Sequence, residues 1–296
     1  MQSLIFWLVY PFLWAISKLP WKLFYLFSDV VCLLLYRVIG YRKKVVTDNL
    51  THAFPEKSKK EILKIRDNFY SHMCDMFLEM IKSMTISNEE LQKRYKFVNK
   101  GDYQKIEDAN KSFMLLIGHH GNFEWSTSFE LITKYTGVGV YKTIKNKKFD
   151  ELIKGIRGRL GAEVIPNKQI SKHAILKEGN PETKNKRVYG ILSDQTPKRS
   201  KNNHYLNFMG RDIPVFVGAE ALAKKLDLNL AFLKVKKVKR GFYEVEIVLI
   251  SEDLKSVPNY EATEIYMKML EEQIREQPEC YLWTHKRWKH ARVIIK

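Results

Sequence analysis

Thiols are scarce in this 296-residue chain, with cysteine only at positions 32, 74 and 280. Three scattered thiols exclude a disulfide framework or a zinc site; they suit a reducing compartment and read as packing residues. Acid is short too, with 33 Asp and Glu against 51 Lys and Arg, a net charge of +18. Such an excess favours polyanionic partners: nucleic acid, anionic lipid or an acidic carrier protein. No recognised nucleic-acid motif accompanies the charge, so nucleic acid is not expected. No repeat or low-complexity block divides the chain, and its length allows one large domain or two small ones. A phosphate-binding P-loop and a Gly-x-Ser-x-Gly elbow are absent, and Gly137-Val138-Gly139 lacks the third glycine and helix start of a dinucleotide fingerprint.

A comfortable membrane span is also missing. The apolar, aromatic runs 4–17 and 23–40 flank Lys18-Leu19-Pro20-Trp21-Lys22. The first is shorter than the roughly 20 residues a spanning helix needs, and the second carries Asp29 and Arg37. Neither a basic stretch before the first run nor a small-residue cleavage site after it marks a signal peptide. Interleaved Trp, Tyr and Lys, with Arg42-Lys43-Lys44 following, predict helices lying in one leaflet, attached from the cytoplasmic side. The competing expectation is a helical hairpin buried in the globular core.

What is present is first a long amphipathic helix. Ser58-Lys59-Lys60-Glu61 is a capping box, and Ile62, Ile65, Phe69, Met73, Met76, Phe77, Met80 and Ile81 recur at helical spacing to about Met84. From residue 113 strands and helices alternate: strand 113–118, helix 123–135, strand 137–141, helix 148–160, strand 163–166, helix 169–178, strand 188–193, helix 216–226. Strands 229–236 and 242–250 and a helix at 261–276 follow. The fold class is α/β, with a mainly parallel central sheet flanked by helices and an N-terminal hydrophobic helical segment. Two regions are expected: membrane-associating helices over 1–40 and a folded domain over 41–296.

The stretch His119-His120-Gly121-Asn122-Phe123-Glu124 follows the apolar strand directly. A histidine five positions before a carboxylate meets it only if the chain turns, which Gly118 and Gly121 permit. Asn122 is placed to cap a helix, putting His119 at the strand's carboxyl end and Glu124 in the first helical turn. A histidine so placed can act as general base, with Glu124 on the far ring nitrogen fixing its tautomer. Backbone N–H groups at Gly121-Asn122, or the Lys142 ammonium, are the candidate oxyanion donors. His120 reads as structural, since one base suffices. Metal binding is not expected, because these residues lack the i, i+4 geometry of a helical zinc pair. Asp194 ends an apolar strand and so faces the same sheet edge.

This strand–turn–helix setting resembles the His-x4-Asp/Glu motif of the glycerolipid acyltransferase superfamily, and within it the lipid A late acyltransferases. The resemblance runs from the apolar N-terminus into Arg42-Lys43, then through Asn49-Leu50, Phe54-Pro55, residues 118–124, Tyr141-Lys142, Asn146 and Asp150. It continues through Arg157 and Arg159, Asp194-Gln195, Phe208-Met209-Gly210 and Trp283-x-His285-Lys286-Arg287. It implies a membrane-associated enzyme at the cytoplasmic face of a bacterial inner membrane that needs no cofactor. Such an enzyme moves a fatty acyl chain from acyl-acyl carrier protein to a hydroxyl of a lipid A precursor. It also implies that His119 and Glu124 are catalytic, and that Asn122, Lys142, Asn146, Arg157, Arg159, Asp194 and Gln195 bind substrate. Family members usually carry an arginine near the position of Lys142, where lysine offers a point charge without a bidentate fork. Alternatives are a lysophospholipid or aminolipid O-acyltransferase using the same site, and a non-catalytic binder of anionic membranes.

Overall fold

The computed structural model describes residues 2–98, 101–180 and 185–292. The chain opens with α1 (Gln2–Lys18), α2 (Trp21–Cys32), a π-helical continuation (Leu33–Val38), α3 (Lys43–Ala53) and α4 (Lys59–Lys82). Then come α5 (Asn88–Arg94), β1 (Tyr95–Phe97), α6 (Gly101–Asp108), β2 (Phe113–Ile117) and a 3-10 helix (Phe123–Leu131). These lead into β3 (Thr136–Tyr141), α7 (Lys147–Gly158), β4 (Glu163–Pro166), α8 (Ile170–Glu178) and β5 (Arg187–Leu192). The remainder is a hairpin of β6 (His204–Phe208) and β7 (Arg211–Val215), then α9 (Gly218–Leu226), β8 (Asn229–Lys239), β9 (Phe242–Ser251) and α10 (Glu261–Glu276).

Seven strands form one sheet in the order β1-β9-β8-β2-β5-β3-β4, parallel at every pairing except β8 with β9. The α/β reading is therefore correct. Strand β2 lies centrally, and all five of its residues are buried. Met114 and Leu116 pack on one face with Tyr189 and Leu230, while Phe113, Leu115 and Ile117 pack on the other with Val188 and Leu233. Burial on both faces is why this strand reads as a continuous apolar run.

The Ser58 capping box forms as expected, with the Ser58 backbone N–H donating to Glu61 Oε2 at 2.8 Å. The elements α5, β1 and α6 lie where the sequence reading set none, and two further segments differ from it. The helix expected over 123–135 is a nine-residue 3-10 helix, in keeping with the weak helix formers Ser126-Thr127-Ser128 at its centre. The β6–β7 hairpin was not foreseen. It turns tightly at Met209 and Gly210, both left-handed at φ +49° and +78°, and charged or proline residues in β7 obscure its alternation.

Polar groups hold α2 against α4. Ser28 donates to Asp75 at 2.7 Å, Tyr25 donates to Glu79 at 2.8 Å, and Arg240 bridges Asp29 at 2.6 Å and Asp75 at 2.7 Å. Phe6, Phe24 and Tyr36 point inward and are buried. The outward faces of α1, α2 and the π-helical continuation are apolar and open: Trp7, Leu8, Phe12, Leu26 and Val38 are each at least 60% exposed. Among the described residues no single helix is long and apolar enough to cross a membrane; the bent pair Trp21–Val38 and Lys43–Ala53, at 90°, passes on length and composition.

Candidate active site

Because β2 and β5 pair in parallel, with Ile117 opposite Leu192, the residues that follow them emerge side by side at one sheet edge. His119 leaves β2 and Asp194 leaves β5. Nδ1 of His119 lies 2.5 Å from Asp194 Oδ1, and the His119 backbone N–H donates to Oδ2 at 3.1 Å. The Asp194 side chain is 1% exposed and that of His119 12%. Burial alone would push the Asp194 carboxyl up, but the His119 ring, its hydrogen bonds and the Arg287 guanidinium outweigh that and hold it down to about 2. Asp194 is thus ionised at neutral pH. A carboxylate can only accept, so Nδ1 carries the proton, and in the neutral ring Nε2 presents its lone pair. Against that lone pair stands the Gln195 side-chain amide, with Nε2 to Nε2 at 3.2 Å. The Phe123 ring meets the imidazole edge-on, centroids 4.9 Å apart.

Both ring nitrogens of His119 therefore have partners other than Glu124, contrary to the expected His119–Glu124 hydrogen bond. Glu124 instead forms a two-point ion pair with Arg157, 2.6 Å to Nη2 and 2.9 Å to Nε. The rigid guanidinium fork explains this choice, since it matches a carboxylate more completely than one imidazole N–H can. Arg157 stands on α7 facing inward; burial opposes its charge, and Glu124 more than restores it.

The turn between His119 and Glu124 is built as the glycines suggest, with one refinement. Gly121 is left-handed at φ +61°, and a Cβ there would lie 2.6 Å from Val235 Cγ1. Gly118 is needed for packing: its Cβ would come within 2.4 Å of Leu270 Cδ1. Asn122 is fully buried. Its Oδ1 caps the Trp125 N–H at 3.2 Å and its Nδ2 donates to Glu79 Oε2 at 2.7 Å, so both ends of its amide are engaged within the protein. Glu79 also accepts from Tyr25 and Tyr243, and burial with Asp75 nearby pushes its carboxyl up. Sequence reasoning missed Glu79, although an acid inside the Met76–Met80 stripe of α4 was a signal. His120 is structural, as expected: its nitrogens meet the carbonyls of Val235 (3.2 Å) and Gln277 (3.0 Å), and burial lowers it to about 4.

Asn146 caps α7, accepting from Lys148 N at 3.1 Å, and Asp150 fixes the preceding loop through Tyr141 (2.9 Å) and the Ile144 N–H (2.6 Å). Lys142 on that loop is exposed. Arg159 is exposed and reaches Asn88 at 3.4 Å, so it does not join Arg157. Beyond Asp194, the Thr196 N–H donates to His285 Nε2 at 3.1 Å and the Thr196 hydroxyl to Arg287 O at 2.8 Å. Burial, then repulsion from Arg287, depresses His285 to about 4, keeping it a neutral acceptor. Gly121 N–H donates to Cys280 O at 3.0 Å, so it is not the oxyanion donor that the sequence suggested. No cluster of metal-ligating side chains occurs among the described residues.

A strand-end imidazole held by a buried carboxylate thus stands at the carboxyl edge of a parallel sheet, where α/β folds bind their ligands. The model of the bacterial lipid A biosynthesis acyltransferase family matches residues 1–290. The chain belongs to this family and is an acyltransferase of lipid A biosynthesis. None of the curated proteins matches it.

Proposed function

We propose that this enzyme transfers a fatty acyl chain from acyl-acyl carrier protein to a hydroxyl of a lipid A precursor at the cytoplasmic face of the inner membrane. The observation that carries the site assignment is the 2.5 Å contact between His119 Nδ1 and Asp194 Oδ1. Asp194 holds Nδ1 protonated, so Nε2 takes the proton of the acceptor hydroxyl as its oxygen attacks the thioester carbonyl. The imidazolium so formed is stabilised by Asp194 and returns its proton to the departing sulfur. The lipid hydroxyl stands where a serine stands in a triad, and no acyl-enzyme is needed. Asn122 N–H and the Lys142 ammonium remain the candidate donors to the oxyanion. Glu124 serves here by fixing Arg157 beside the turn.

The apolar outer faces of α1 and α2 support attachment to one leaflet, because an exposed patch of this size on a globular protein marks an interaction surface. The excess of 51 basic over 33 acidic residues supports recruitment of an acidic carrier and a phosphorylated lipid. The test is an assay of purified enzyme with acyl-carrier and acyl-coenzyme A thioesters against separate lipid A, lysophospholipid and aminolipid acceptors. Transfer from the carrier to the lipid A precursor is the expected result. Transfer only to a lysophospholipid or aminolipid would replace the acceptor named here.

A further inference from the structure

We infer that Gln195 guards the base: its side-chain amide covers the Nε2 lone pair of His119 and keeps water from being activated until the lipid hydroxyl displaces it. The inference rests on the proposed acyl transfer by His119. Three features of the site carry it.

The protonation of the ring is fixed from the other side. Asp194 occupies Nδ1 at 2.5 Å as an acceptor, so in the neutral ring Nε2 is bare and its neighbour at 3.2 Å donates. The amide nitrogen of Gln195 does so; its oxygen in that place would set two lone pairs against each other. The partner is also chemically inert. An amide N–H does not yield its proton to imidazole and its nitrogen lone pair is delocalised, so this cap cannot become a nucleophile, whereas a water in the same place could.

The cap is also the movable part of its segment. On one side Asp194 is held by the ring and by the backbone N–H of His119. On the other, Thr196 is held by His285 and Arg287. With the flanking residues pinned, the Gln195 side chain can rotate away and back without disturbing the His119–Asp194 pair.

Without the cap, water would reach the base while a thioester is bound. His119 would take a proton from water, the hydroxide oxygen would attack the carbonyl, the carbon–sulfur bond would break, and the proton would pass to sulfur. The products are free fatty acid and carrier thiol, a loss of donor without acylation.

The experiment compares wild type with Gln195→Ala and His119→Ala/Gln195→Ala in the full-length enzyme. It uses acyl-carrier thioester with and without the lipid acceptor, and mass spectrometry of both products. Gln195→Ala is expected to raise the ratio of free fatty acid to acylated lipid by about fivefold, the equivalent of one net hydrogen bond of about 1 kcal/mol. The double variant should lose the added hydrolysis. Carbethoxylation of His119 by diethyl pyrocarbonate, read by peptide mass spectrometry, should also quicken in Gln195→Ala. A raised ratio is not what general damage to the fold produces, since that would slow both reactions together. An unchanged or lower ratio alongside normal wild-type transfer overturns the guard alone, whereas no wild-type transfer to any acceptor overturns both the guard and the proposed function.

Discussion

Asp194 Oδ1 lies 2.5 Å from Nδ1 of His119, and its other oxygen accepts the backbone N–H of the same residue at 3.1 Å. One carboxylate thereby fixes both the ring and the backbone of the histidine. Adjacent parallel strands make this possible across 75 residues of sequence, because the residues after β2 and β5 emerge together.

Replacing Asp194 by Asn tests that relationship. The amide would donate to Nδ1, driving the ring proton to Nε2 and removing the lone pair the reaction needs. We expect kcat to fall by about 10³- to 10⁴-fold, as when the orienting carboxylate of a serine-protease triad is lost. Stability should respond as well. The folded carboxyl is depressed from 3.8 to about 2, so its contribution is full above the unfolded value and is lost as pH falls through the folded one. That contribution is roughly 2 kcal/mol. Urea unfolding should show Asp194→Asn less stable at neutral pH, with the difference narrowing as pH falls towards about 2.

Glu124 and Arg157 should behave as a pair. The Glu124 side chain is 6% exposed and that of Arg157 24%, so removing either strands a largely desolvated charge. Each of Glu124→Gln and Arg157→Met should destabilise the protein, by about 2 kcal/mol after allowing for the partial exposure of Arg157. The double variant should recover part of that loss in a double-mutant cycle of thermal unfolding. If Glu124 instead oriented His119, Glu124→Gln would abolish activity with Arg157→Met nearly silent, and the cycle would show no coupling.

The outer surface of the first two helices should govern membrane binding without governing folding. Phe12 is 69% exposed and Leu26 61%, so neither contributes much to the core. Phe12→Ser with Leu26→Ser should leave the melting temperature within about 2 °C, since exposed substitutions usually fall within ±0.5 kcal/mol. Partition onto phospholipid vesicles should weaken by about tenfold per residue, as expected for losing part of a 1.5–3 kcal/mol side-chain burial. Unchanged co-sedimentation would remove these helices from the membrane contact.

The sheet was legible because its strands obey simple periods. β2 is apolar throughout since both faces are covered, β9 alternates, and α10 spans the predicted 261–276. The β6–β7 hairpin was not, because Arg211, Asp212 and Pro214 break the alternation and its turn uses Met209 in a conformation usually left to glycine or asparagine. Within the site, His119 and the turn at Gly121 could be read locally. The partner of His119 could not. Spacing along the chain pointed to Glu124, five residues away, whereas strand order set Asp194 beside the ring and left Glu124 to Arg157. Pairing across a parallel sheet is a long-range property that local spacing does not encode.

In the proposed mechanism His119 takes the proton of a lipid hydroxyl during acyl transfer. The most direct measurement is mass spectrometry of lipid A from cells whose only copy of this gene carries His119→Ala, compared with cells carrying the wild-type gene. Lipid A lacking one acyl chain is expected, with the variant protein present at wild-type level and still bound to membranes. Lipid A of unchanged mass under those conditions would contradict it.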